Sequence, residues 1–342
     1  MNVVVTGGGT GGHLVIAQAL KSELVKLGHS AYFIGSTSGQ DAKWFKDDSE
    51  FCNSYFFNTT GVVNRGFLGK IKALFKIFKA TISSLRVIKK EKIDAVISVG
   101  GFSAAPASFA AIISKKPFFI HEQNARVGRL NSMLKKYATT FFSSYDENSP
   151  IKDYPIKELF FKNKRVREHL HVIIFLGGSQ GASYINNLAL HVAPILSEKN
   201  IKIIHQCGNN DYDRVKKEYE KMGLHVELYG FTSNIANLIA KSDFAVSRAG
   251  ASTLWELCAS GVPSLFIPYP YAAANHQFHN AHFIADKELG YVMTQDEDIE
   301  SFLPTILDED LAQKSKELMR LCKQDGSKNI ILHVESEIKD DS

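Results

Sequence analysis

Short apolar runs alternate with longer amphipathic stretches along the whole chain. In the first half "NVVVTGG", "AYFIGS", "DAVISVGG" and "PFFIHEQN" are β-branched or aromatic runs closed by glycine or polar residues, and each predicts a strand. "HVIIFLGGS", "IKIIHQCG", "HVELYGF", "DFAVSRAG" and "PSLFIPYP" do the same in the second half. The segments between them have room for one helix each. Continuously apolar strands separated by helices mark a buried parallel sheet built from βαβ units, so the expected class is α/β. The pattern breaks over residues 148–168, "NSPIKDYPIKELFFKNKRVRE", where two prolines and many charges suggest a domain boundary. A strand, a glycine turn and a helix occur in that order at Gly7–Gly12 and again at Gly177–Gly181, which predicts two Rossmann-like units facing each other. The last stretch, "GSKNIILHVESEI", predicts a helix capped near Ser327 with Ile330, Ile331, Val334 and Ile338 on one face.

Length and composition narrow the picture. A chain of 342 residues has room for two cores, and 44% hydrophobic with 22% charged residues is ordinary for a soluble protein. The longest run free of Asp, Glu, Lys, Arg and His, Ala95–Ser114, is long enough to span a bilayer. Gly100-Gly101, Pro106 and four serines inside it favour strand, turn and helix instead. The start has no basic lead, so no signal peptide is expected. Cys52, Cys207, Cys258 and Cys322 lie far apart without a CxxC pair, as expected for reduced thiols.

Charge adds an asymmetry. Residues 1–150 carry 19 Lys and Arg against 10 Asp and Glu, while the rest of the chain is net acidic. The basic half should meet an anionic partner: nucleic acid, a membrane surface or a phosphorylated ligand. From Lys70 to Lys92 there are eight Lys and Arg with Glu91 the only acid, and Ile71, Leu74, Phe75, Phe78, Ile82 and Leu85 recur at helical spacing. Such a helix, with Lys72, Lys76 and Lys79 among the apolar positions, suits an anionic membrane surface. A core-packed helix with a solvated basic face fits the same pattern. Nucleic acid is disfavoured, because no aromatic-interleaved basic motif accompanies the charge.

The candidate chemistry begins at "TGGGTGGH". Bare backbone at a helix start lets N–H groups approach an anion. Gly7, Gly9 and Gly12 match the spacing of a dinucleotide loop, yet the second strand ends "FIGSTSG", with Gly35 and Ser36 where a ribose-binding acid belongs. That argues against NAD, and without a GK[ST] sequence a P-loop is excluded. His13 falls in the first helical turn, where the positive dipole end disfavours imidazolium and keeps the ring available as a base. A polar helix-start residue bonded to a neighbour is the alternative. "HEQN", His121–Asn124, closes a strand where ligands of open α/β sheets bind. His121 and Glu122 there are read as chemistry or as a polar corner holding loops. In "RAGASTLWELCASGVP", Thr253 and Glu256 share the polar face of a helix. His276, His279 and His282 recur every third residue, but one helix cannot place all three on one metal, and no metal is expected. "DYD" at Asp211–Asp213 reads as a solvated helix start.

"TGGGTGGH", "SVGGFSAAPASFAA", "HEQN", "GGSQGA", "GASTLWELCASGVPSLFIPYP" and "NHQFHNA" together resemble the MurG family of bacterial glycosyltransferases over essentially the full length. The resemblance implies GT-B architecture, with two Rossmann-like domains whose parallel sheets face across a cleft. The first domain would comprise 1–157 plus a returning 327–342, and the second 158–326. It also implies an inverting, metal-independent transfer of N-acetylglucosamine from UDP-N-acetylglucosamine to O4 of a lipid-linked N-acetylmuramyl-pentapeptide, without a cofactor. The chain would then act peripherally at the cytoplasmic face of the inner membrane, with room for other cell-wall synthesis proteins as partners.

By the same resemblance His13 is the base, and Thr10, Gly11 and Gly12 lie at the sugar–diphosphate end of the donor. Asn124 and Gln277 belong to the donor sugar, Ser179 to a phosphate, and Ala251, Ser252, Thr253 and Leu254 to the donor site, with Glu256 on the ribose. The family's Asn-Pro-Val-Arg reads "YPIK" here, so Lys157 keeps the charge but loses the guanidinium fork. Thr232 stands where the family has an aliphatic residue near the uracil. Two alternatives share the nucleotide-sugar site: a UDP-sugar epimerase, whose extra carboxylates are not apparent, and a non-catalytic UDP-sugar-binding module at the membrane.

Overall fold

The computed structural model describes residues 1–62, 66–177 and 183–340, and the chain divides into two compact units, Met1–Ile156 with Asp325–Ser342, and Lys157–Gln324. The first unit runs β1 (Asn2–Thr6), α1 (Gly11–Lys26), β2 (Ser30–Ser36), α2 (Asp41–Phe45), β3 (Asn53–Phe57), α3 (Phe67–Lys90), β4 (Ala95–Ser98), α4 (Ala105–Ile113), β5 (Phe118–Glu122), α5 (Arg129–Leu134) and β6 (Thr140–Ser143). The second contains α6 (Leu159–Lys162), β7 (Val172–Leu176), α7 (Ser183–Glu198), β8 (Lys202–Gln206), α8 (Tyr212–Lys221), β9 (Glu227–Tyr229), α9 (Ile235–Lys241), β10 (Phe244–Ser247), α10 (Ala251–Ser260), β11 (Ser264–Phe266), α11 (His276–Ala285), β12 (Tyr291–Val292), α12 (Leu303–Asp308) and α13 (Ala312–Leu321). The terminal helix α14 (Gly326–Asp340) packs on α1, with Ile330, Ile331 and Val334 fully buried.

Both sheets are parallel and six-stranded, in the order β3-β2-β1-β4-β5-β6 and β12-β11-β10-β7-β8-β9. Numbered within each unit, both read 3-2-1-4-5-6, the doubly wound order whose ligand sites lie beyond the carboxyl ends of the strands. Val3, Val4 and Val5 of β1 and Ile174 and Phe175 of β7 are wholly buried, which explains why these strands carry no alternation. The apolar-run reading missed β3, β6 and β12. The first two are edge strands with polar or half-exposed positions, and the third is only two residues long.

Helix α3 turns the usual arrangement outside in. Its buried face is made of Ala73, Ala80, Thr81, Ser84, Val87 and Ile88, and its packing is chiefly on α4, another helix rich in small residues. The large apolar side chains point outward, with Phe67 78% and Phe78 61% exposed and Ile71, Leu74 and Phe75 also exposed. The core-packed reading therefore fails for Ile71, Leu74, Phe75 and Phe78, while Leu85, Val87 and Ile88 near the end of the helix do pack into the core. Among the described residues no helix is long and apolar enough to cross a membrane.

Candidate active site

In the first unit the glycine run is clamped from two sides. Gly8 N–H donates to the Gly100 carbonyl at 3.1 Å, joining the β1–α1 turn to the turn after β4. Gly101, at φ 80°, approaches the Gly8 carbonyl so closely that no side chain fits there. The other clamp is Asp41 at the start of α2, fully buried, whose carboxyl oxygens accept from Gly9 N–H at 2.6 Å and Ser36 N–H at 2.9 Å. An acid does follow the second strand, but it is turned inward to hold the loop. Sequence reasoning missed it because Asp41 lies five residues beyond the strand end, on the next helix.

Thr10 is the N-cap of α1, yet its hydroxyl makes no capping bond and lies 2.9 Å from His13 Nδ1. For Nε2 to take a proton, Nδ1 must carry the ring hydrogen and donate it to the Thr10 oxygen, and this contact allows that tautomer. The first turn of α1 contains no acidic residue, so nothing on the helix itself offsets its positive end. Beneath lies His121 at the end of β5, 1% exposed, whose pKa is driven down to about 3 by burial and by the neighbouring charge of His13. His121 therefore stays neutral and does not compete for the proton.

Glu122 next to it is a structural corner. One carboxyl oxygen accepts from the Asn124 N–H (3.0 Å) and side-chain amide (3.4 Å), the other from Gly128 N–H (2.9 Å) and the Asn131 amide (2.8 Å). This fastens the loop carrying Asn124, a predicted donor contact, and brings Asn131 of α5 alongside Gly100. Asn131 was not singled out in the sequence, and only its place three residues beyond Gly128 could have pointed to it.

In the second unit α10 starts at Gly250 and carries Ala251, Ser252, Thr253, Leu254 and Glu256 in its first two turns. Leu254 points into the core and its N–H bonds to the Gly250 carbonyl, so its side chain is not available to a ligand. Glu256 is half-buried, and no donor among the described residues reaches its carboxyl group. Burial pushes its pKa up to about 8, and Lys157 pulls the other way, so the lysine of "YPIK" does lie within electrostatic reach of it. Gln277 on α11 is oriented by Tyr269 N–H, which donates to its Oε1 at 2.9 Å. The Thr232 hydroxyl accepts from Asn234 N–H within a local turn. Ser179 lies outside the described residues.

Arg248, between β10 and α10, was missed. It donates to the carbonyls of Ile267 (3.0 Å) and Pro268 (3.2 Å) and lies 5.5 Å from the rings of both Tyr184 and Tyr269. Its aromatic neighbours come from distant parts of the chain, which no local pattern reveals. Asp211 at the start of α8 pairs with Arg214 at 2.6 Å, which with Asn186 holds its carboxyl at about 2. Among the described residues no group of three or more His, Cys, Asp and Glu is arranged to hold a metal ion.

Comparison with known proteins places this geometry. Residues 3–143 match the glycosyltransferase family 28 N-terminal domain, and residues 172–334 match the family 28 C-terminal domain. A protein of Sulfurimonas denitrificans is 55% identical, with 98% of each chain covered. It is named UDP-N-acetylglucosamine--N-acetylmuramyl-(pentapeptide) pyrophosphoryl-undecaprenol N-acetylglucosamine transferase. A protein of the same name from a Sulfurovum species is 50% identical over 96% of this chain and 97% of its own. Among solved structures, MurG of Acinetobacter baumannii superposes with a TM-score of 0.82 at 26% identity, covering 98% of this chain and 99% of that one.

Proposed function

Because the chain belongs to the MurG family within glycosyltransferase family 28, we propose that it transfers N-acetylglucosamine from UDP-N-acetylglucosamine to the lipid-linked N-acetylmuramyl-pentapeptide of peptidoglycan synthesis. The observation that carries this is the end-to-end relationship with proteins named for that transfer. It favours transfer over the epimerase and the binding module.

The residues supply the steps as follows. O4–H of the muramyl acceptor gives its proton to His13 Nε2 while Nδ1–H donates to Thr10, and O4 forms a bond to the anomeric carbon. The bond from that carbon to the diphosphate oxygen breaks, and UDP leaves. Charge developing on the diphosphate meets the N-terminal end of α1 with Thr10, Gly11 and Gly12, and Ser179 in the second glycine loop. A helix end contributes up to ~2 kcal/mol to a partly buried charge. Glu256 takes the ribose hydroxyls, Gln277 and Asn124 the donor sugar, and Ala251, Ser252 and Thr253 line the donor site. Lys157 and Thr232 contribute charge and a turn beside it. In this reading 1–157 plus 327–342 serves the acceptor and 158–326 the donor.

The outward face of α3 supports a peripheral seat on an anionic membrane, at the cytoplasmic side where the lipid-linked acceptor is made. Ile71, Leu74, Phe75 and Phe78 enter the interface while Lys72, Lys76 and Lys79 meet headgroups, each worth about 1 kcal/mol.

The test is incubation with radiolabelled UDP-N-acetylglucosamine and a soluble lipid-acceptor analogue, with and without EDTA. A labelled disaccharide product formed in EDTA is expected. Absence of product with the parent protein would sink the reading. His13→Ala should lower turnover by about 10²–10⁴-fold with unchanged UDP affinity.

A further inference from the structure

The Asn131 side chain is 4% exposed, and its orientation is set from one side. Its amide nitrogen donates to Glu122 Oε2 at 2.8 Å, and a carboxylate only accepts, so the NH₂ must face Glu122. The carbonyl oxygen Oδ1 is thereby turned the other way, where it is buried and meets no donor. An acceptor left in that state is costly, and a water or a ligand group that donates to it removes the cost.

The space concerned lies over Gly100. A β-carbon there would stand 3.4 Å from His13 Nε2, 3.0 Å from Asn131 Nδ2 and 3.5 Å from Asn131 Oδ1. The side of Gly100 that carries no side chain is therefore bordered at once by His13 Nε2 and by the Asn131 carboxamide, whose Nδ2 is the nearer of its two polar atoms. The reacting hydroxyl has a single proton, which goes to His13, so Oδ1 needs its donor from a second group on the same sugar. In a muramyl residue the 3-oxygen is an ether and carries no hydrogen. The hydroxyl that remains beside O4 is the one on C6.

We propose that Asn131 is an acceptor-binding residue whose Oδ1 accepts from the 6-hydroxyl of the muramyl ring, fixing the sugar so that its O4 meets His13 Nε2. The assignment rests on the transfer activity proposed above. It also gives Gly100 a function: any side chain at this position would fill the seat. Glu122 acts one step further out, as the group that dictates which way the carboxamide faces.

The experiment compares the soluble lipid-acceptor analogue with its 6-deoxy counterpart, on the unaltered protein and on Asn131→Ala, with UDP-N-acetylglucosamine as donor. Removing the 6-hydroxyl should lower kcat/KM of the unaltered protein about 10- to 100-fold, with the KM for UDP-N-acetylglucosamine unchanged. Asn131→Ala should lose a similar factor on the ordinary acceptor and lose little more on the 6-deoxy one. Equal use of both acceptors by the unaltered protein overturns the proposal, as does a full additional loss in the variant on the 6-deoxy acceptor. Should Asn131→Ala fail to fold, the two acceptors on the unaltered protein decide alone. Transfer to the ordinary acceptor establishes the activity by itself, so failure of that reading is told apart from failure of this one.

Discussion

Glu122, at the end of β5, and Glu256, in the second turn of α10, are two glutamates with opposite circumstances. Glu122, in the first unit, is 2% exposed and takes hydrogen bonds from four donors. Glu256, in the second, is half-buried with no donor among the described residues, and its pKa rises to about 8. A carboxyl group whose acceptors are filled by its own chain shapes a loop. One desolvated without compensation is waiting for donors from elsewhere. The same residue type is therefore scaffold in one unit and the proposed binding group in the other, and hydrogen-bond accounting separates the two.

The comparison breaks most readily at Glu122. Glu122→Ala removes the acceptor of four donors, the buried Asn131 amide among them, and should cost of order 3 kcal/mol of stability, read by chemical denaturation. A loss below about 1 kcal/mol would mean that the corner holds nothing. Acid should act next, through imidazoles that play the scaffold role in each unit. His121 and His205 are both lowered to about 3 by burial, so the folded protein refuses protons that the unfolded chain accepts below about 6.5. Their stabilisation is complete above pH 6.5 and is lost as pH falls toward 3. Glu256 opposes one of these protons between about pH 4.5 and 8, because its folded pKa is raised. The steepest decline is thus expected below about pH 4.5, approaching ~2.7 kcal/mol per pH unit for two protons. A denaturation series from pH 7 to 4 with a flat profile would contradict it.

Glu256→Ala should leave the protein at least as stable at neutral pH, because a carboxyl raised by burial destabilises the folded state, while weakening UDP about 10- to 100-fold in calorimetric titration, the reverse of the pattern at Glu122. Comparable UDP affinity in this variant would return Glu256 to the scaffold class. The smallest effect is the proton linked to that site. Ribose hydroxyls donate to the ionised carboxylate, so binding releases a proton below about pH 8. UDP affinity should rise with pH toward 8 and then level, by at most about tenfold per unit, less where solvent reaches the group. Titration in buffers of different ionisation enthalpy reads the released proton directly.

Much of this protein is legible along the chain. The buried runs of β1, β4, β5, β7, β8 and β10 announce a parallel sheet, because strands covered on both faces need no polar alternation. "TGGGTGGH" marks the glycine turn between β1 and the start of α1. The edge strands stayed hidden, since half-exposed strands such as Asn53–Phe57 carry no continuous apolar run. The amphipathic pattern of α3 was visible too, but periodicity cannot say which face turns inward. Packing settled that by burying Ala73, Ala80 and Ser84 against α4 and leaving the phenylalanines outside.

The sequence by itself determined the order of strands, turns and helices and the residue types delivered to their ends. Those depend on interactions between near neighbours, and they repeat in both halves. Only the tertiary structure decided that Asp41 closes the glycine loop, that Glu122 is satisfied while Glu256 is not, and that Asn131 stands with His13 over Gly100. Asp41 reaches Gly9 from another helix, and Asn131, His13 and Gly100 come from three separate elements, while Glu122 is closed by a turn of nearby residues whose shape no apolar pattern records.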